Sequence, residues 1–119
     1  MKFPARYLGG DLPLEPRRLG RLAVGGGRVD FACGFLRRRR WFALLAELRG
    51  AELVSLARVV HLVPWAMRYR HSGLFGEVPA EPLLYLTLAG GEKGLREALF
   101  ESPAAAAARE ALEKAGREG

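Results

Sequence analysis

The chain of 119 residues is 50% hydrophobic and 27% charged, with 19 Lys+Arg against 13 Asp+Glu and a formal net charge of +6. That length suits about one domain with one sizeable core, and the composition excludes a disordered polymer. One cysteine excludes an internal disulfide framework and a cysteine-based metal cluster.

Ala5 to Leu8 reads as a short extended piece ending at Gly9-Gly10, and Asp11 to Gly20, with Pro13 and Pro16, reads as a loop. Leu22 and Val24, then Val29 and Phe31, alternate with smaller or polar neighbours on either side of Gly25-Gly26-Gly27. Glycine accepts the positive φ of a tight hairpin turn, so this stretch predicts a β-hairpin. The glycines precede a second strand rather than a helix, which excludes a phosphate-binding loop.

Arg37, Arg38, Arg39 and Arg40 run directly into the apolar stretch Trp41 to Leu45. Four consecutive arginines form either an anion site for phospholipid headgroups or nucleic-acid phosphates, with Trp41 at an interface, or a solvated loop or strand end.

From Leu53 to Val63 the polar residues are Ser55, Arg58 and His61, spaced by three, and every other position is apolar. On a helix these three fall on one narrow face, whereas on a strand Arg58 would oppose the other two. The spacing predicts a helical segment, ended or kinked by Pro64, and a basic–aromatic continuation through Trp65, Met67, Arg68, Tyr69 and Arg70. Two uses fit residues 53–70. They pack on the home core, or they cover a partner subunit or a bilayer surface through Val59, Leu62, Trp65 and Met67.

Gly73 to Pro82 reads as a connection, Leu83 to Leu88 as a strand and Leu95 to Phe100 as its return. In the first of these strands Leu84, Leu86 and Leu88 share one face and Tyr85 and Thr87 the other. Ser102 is placed to cap a C-terminal helix over about 103–115, with Pro103 at its first position and Gly116 as its stop. The helix carries the small face Ala104, Ala108, Ala111 and Ala115.

The opening Tyr7-Leu8-Gly9-Gly10, the strand Tyr85-Leu86-Thr87-Leu88 followed by Gly90-Gly91, and the strand end Leu99-Phe100-Glu101 resemble pleckstrin-homology-like (PH/GRAM-type) domains. The likeness spans nearly the whole chain and fits least over residues 46–82. It implies a mainly β fold: a bent antiparallel barrel or sandwich plugged by one C-terminal α-helix, here with an extra helical segment near 53–70. It implies a binding module, with the family's basic loop pattern falling at Arg17, Arg18 and Arg21.

Chemistry-bearing residues are few. His61 and His71 lack a partner at metal-ligand spacing, Ser55 and Ser72 lie outside any nucleophile elbow, and Cys33 reads as a buried thiol. The chain is therefore expected to be non-catalytic, with no metal, cofactor or small-molecule substrate. Arginine supplies 16 of the 19 basic residues and Asn, Gln and Ile are absent, a pattern of thermophilic or GC-rich origins. No secretory signal is read at the N-terminus, and the longest uncharged apolar run, Val59 to Met67, is short of the roughly 20 residues of a membrane helix. A cytoplasmic location is expected. Two functions are carried forward. One is an interaction domain for a protein partner or homo-oligomer. The other is a binder of anionic membrane or nucleic acid through Arg37–Arg40 with Arg68 and Arg70.

Overall fold

A computed structural model of the chain describes residues 1–14, 19–33, 39–63, 79–92 and 94–118. Seven antiparallel strands form one sheet: β1 (Lys2–Gly10), β2 (Leu19–Gly25), β3 (Arg28–Cys33), β4 (Arg39–Leu44), β5 (Leu48–Val54), β6 (Leu83–Ala89) and β7 (Leu95–Glu101). One helix, α1 (Ala105–Glu118), follows them.

The strand order is β4-β3-β2-β1-β7-β6-β5, so β4 and β5 occupy opposite edges although they are consecutive in the chain. In a flat sheet, six gaps of about 4.8 Å would set those edges about 29 Å apart. The chain from Leu44 to Leu48 passes through a single 3-10 turn, Leu45–Glu47, and can span at most about 14 Å. The sheet must therefore curl until its edges approach at that end. The Leu45 amide donates to the Gly27 carbonyl at 2.9 Å, tying this turn to the β2–β3 hairpin. That hairpin turns on Gly26 and Gly27, both at positive φ (61° and 76°), as the glycines predict.

The concave side of the sheet buries Phe3, Tyr7, Phe31, Leu84, Leu86 and Phe100 in the main core. Tyr7 and Phe31 both pack tilted against Phe100, at 5.5 and 5.2 Å between ring centroids. Helix α1 fills the open side with Ala105, Ala108 and Leu112 and packs against β5, β2 and β6. Its start is anchored by Ser102, whose hydroxyl accepts from the Ala104 amide (3.1 Å) and donates to the Pro4 carbonyl (2.6 Å). The expected Ser102 bond is thus present and also joins the helix to β1, although Pro103 and Ala104 form a turn and the helix begins at Ala105 rather than at Pro103. Gly116 does not stop the helix, which continues to Glu118. A helix interior tolerates one glycine near its end at a loss of about 1 kcal/mol relative to alanine.

Residues 53–63 differ from the expected continuous helix. Leu53 and Val54 complete β5, and two single 3-10 turns follow at Leu56–Arg58 and Val60–Leu62. A 3-10 turn has three residues per turn, so positions three apart eclipse. Ser55, Arg58 and His61 accordingly all face outward and Leu56 and Val59 inward, the same sequence signal that a wider helix would give. The remainder of the expected segment, 64–70, lies outside the described residues.

This strap crosses the convex side of the sheet. Leu8, Val54, Leu83 and Leu99 point out of the sheet there and are buried beneath Leu56, Val59 and Val63 in a second core. Alternation aims Tyr7 inward and Leu8 outward, and a bulge between Tyr7 and Gly9 sets Leu8 and Gly9 together against Leu99 beneath the strap. At Gly9 the strap comes so close that a Cβ would collide with the Leu62 carbonyl oxygen.

Candidate functional site

The anticipated contact residues separate. Trp41 is 6% exposed and belongs to the main core, because the alternation of β4 turns it inward with Ala43. Val59 is 3% exposed within the second core. Neither offers a surface to a partner, and Leu62 is half-buried beside Val59. Arg37, Arg38, Trp65, Met67, Arg68 and Arg70 lie outside the described residues, as does the Arg39 side chain, although its backbone opens β4. Arg40 is exposed and reaches Asp30 at 3.4 Å.

Three surface features remain. The first is polar and surrounds the strap. Carboxylates hold it: Glu81 accepts from the Leu56 amide at 2.6 Å, Glu52 pairs with Arg58 at 3.5 Å, and His61 Nε2 lies 3.0 Å from Glu97. Asp11 accepts from the Glu97 amide at 2.8 Å. The Tyr85 hydroxyl is held above its ordinary pKa, first by burial and then by hydrogen bonding to the Glu97 carboxylate. Tyr7 is raised by burial as well, against the opposing hydrogen bond from the Leu12 amide. No group of three or more His, Cys, Asp or Glu among the described residues could hold a metal ion. The free Cys33 thiol is buried, as expected. This cluster fixes the strap.

The second feature is a shallow groove of about 660 Å³, open to solvent, between β5 and α1. One wall is the unbroken run 48–52 of β5; the other carries Arg109, Leu112, Glu113 and Arg117 of α1. A strand that lines a groove with successive residues presents its main chain as well as its side chains, and among the described residues β5 has a sheet neighbour only at β6. Glu113 is shared by Arg109 (3.2 Å) and Arg117 (3.9 Å), and Glu52 is engaged by Arg58. Arg49 adds a third cation, donating to the Ala46 carbonyl at 2.7 Å. The groove thus carries three arginines against two glutamates, a net charge of +1, with Arg49 the cation not engaged by a carboxylate of the lining.

The third feature, about 610 Å³, lies at the end of the sheet where Gly25–Gly27, Leu45 and Ala115 meet. It shares Leu48 and Gly116 with the groove. Sequence reasoning missed the groove because it missed β5. Its only visible signal was the i,i+4 pair Arg109 and Glu113, which reads equally as helix-surface decoration. No helix of the described residues is long and apolar enough to cross a membrane. No protein-family model, no curated protein and no solved structure matches the chain.

Proposed function

We propose that this chain is a non-catalytic, PH-like interaction module that takes an extended segment of a partner protein as an added strand on β5. The sheet order, the curl forced by the Leu45–Glu47 turn and the single plugging helix support the PH-like reading. The observation that carries the function is the groove in which residues 48–52 of an edge strand face α1. Strand addition draws affinity from main-chain hydrogen bonds and specificity from pockets that receive alternate side chains. Arg49, Arg109 and Arg117 favour a segment with acidic residues, and the half-buried Leu48 beside Gly116 favours one apolar anchor.

Selection from a displayed library of random peptides, followed by calorimetry on the selected sequences, tests this reading. The expected result is acidic, extended sequences whose affinity falls at least tenfold, about 1.4 kcal/mol, in Arg49→Glu/Arg117→Glu. Peptides without acidic bias, or with affinity unchanged in that variant, would overturn it. If β5 instead pairs with β5 of a second copy, light scattering will show a dimer that Gly50→Pro dissociates.

A further inference from the structure

We infer that the convex face of β1–β4, which the strap leaves uncovered, binds single-stranded nucleic acid. The register sets its outward residues in rows: Lys2, Ala23, Asp30 and Phe42 lie side by side across the four strands, and Pro4, Arg21, Ala32 and Arg40 form the next row. Arg28 and Leu44 pair beyond them toward the hairpin. Lys2, Arg21, Arg28 and Arg40 thus share one face with a single carboxylate, Asp30, whose side chain is largely covered by Arg28 (3.1 Å) and Arg40 (3.4 Å). Charge complementarity calls for a polyanion. The same excess of cations disfavours a second copy packed face to face.

The shape narrows the class. Ala23, Ala32 and Pro4 make a low floor between the cations, so a chain can lie across the sheet with phosphates against the arginines. Phe42 is 55% exposed, and the Arg28 guanidinium sits 5.4 Å from its ring centroid. The guanidinium lies over the Phe42 ring, and bases stack on exposed guanidinium planes as well as on aromatic rings; stacking requires unpaired bases. A bilayer would be engaged through a protruding apolar tip. The hairpin tip bordering this face, Gly26-Gly27, carries no side chain to insert, and the exposed Phe42 and Leu44 beside it stand on β4 rather than on a protruding loop.

The test uses fluorescence anisotropy with a labelled oligouridylate of about 12 nucleotides, a length within the usual single-strand site sizes. A duplex of equal length and phosphatidylserine/phosphatidylcholine vesicles serve as comparisons. Binding of the single strand is expected, tighter than the duplex, and weakening steeply between about 50 and 200 mM salt. Phe42→Ala should weaken it about tenfold with the salt slope unchanged, since stacking carries no counterion release. Arg21→Glu/Arg40→Glu should weaken it further and flatten the slope. Because Phe42 is exposed, loss of binding with an unchanged melting curve separates a contact from a folding defect. Equal affinity for duplex, an unaffected Phe42→Ala, or binding to vesicles without binding to the oligonucleotide would each overturn the inference.

Discussion

The two halves of the sheet's convex surface follow different rules. Over β5–β7 and the end of β1, the outward residues include Leu8, Val54, Leu83 and Leu99, and the strap of residues 55–63 buries them. Over β1–β4 the outward residues include Lys2, Arg21, Arg28 and Arg40. There the apolar outward residues are small side chains and the exposed Leu19, Phe42 and Leu44. A strand buried on both faces must be apolar at successive positions, whereas one facing water on one side alternates. The contrast between Leu83-Leu84 or Ala98-Leu99-Phe100 and Val29-Asp30-Phe31 is that rule written in sequence. One half closes its outer face with a second core, and the other, among the described residues, leaves it exposed.

Substitutions can break this contrast, and the largest effect is expected beneath the strap. Leu99, 0% exposed, should lose about 2–5 kcal/mol on change to Ala, measured by urea unfolding, because the cavity lies between sheet and strap. An effect below about 1 kcal/mol would mean that the strap does not enclose a core. Next comes Gly9→Ala, whose methyl group meets the Leu62 carbonyl. We expect a loss of about 1–3 kcal/mol, the range for overpacking, together with faster amide exchange at Leu62 and Val63. Unchanged exchange would show that the strap does not rest on β1.

The pH arm sharpens the same picture. Tyr85 and Tyr7 have folded pKa values raised above 10.0, so each holds its proton more tightly when folded. Their contribution is complete below about pH 10 and is lost as pH rises through the folded values, because the unfolded chain ionises first. Stability should therefore decline above about pH 10, and Tyr85→Phe should decline less steeply. An identical alkaline slope in that variant would contradict burial of the hydroxyl beside Glu97. The smallest effect belongs to the open half. Leu44, 51% exposed, should change stability by no more than about 0.5 kcal/mol when replaced by Ala, as checked by the same urea titration.

Some of this architecture is legible in the amino acids and some is not, for physical reasons. The Gly26-Gly27 turn and the Ser102 cap are local: backbone sterics and one side-chain hydrogen bond determine them, and the residue types reveal both. Strand β5 is hidden because a register irregularity between Leu48 and Gly50 breaks its alternation, and Gly50 itself disfavours a strand. Period three in the strap was legible, but its meaning was not, since 3-10 turns and a narrow polar stripe on a helix place the same residues outward. Trp41 beside four arginines suggests an exposed anchor. Only the pairing of β4 with β3, which sets Trp41 opposite Phe31, turns it into the core. The β5–α1 groove joins residues some sixty positions apart in the chain, and no local pattern encodes that encounter.

Occupancy of that groove is tested most directly by following the backbone amides of the folded chain while a selected acidic peptide is titrated in. The account predicts that residues 48–52 and the facing turns of α1 show the largest shifts, with the β5 amides gaining protection from exchange. Shifts confined to the convex β1–β4 face or the strap, with β5 unchanged, would contradict it.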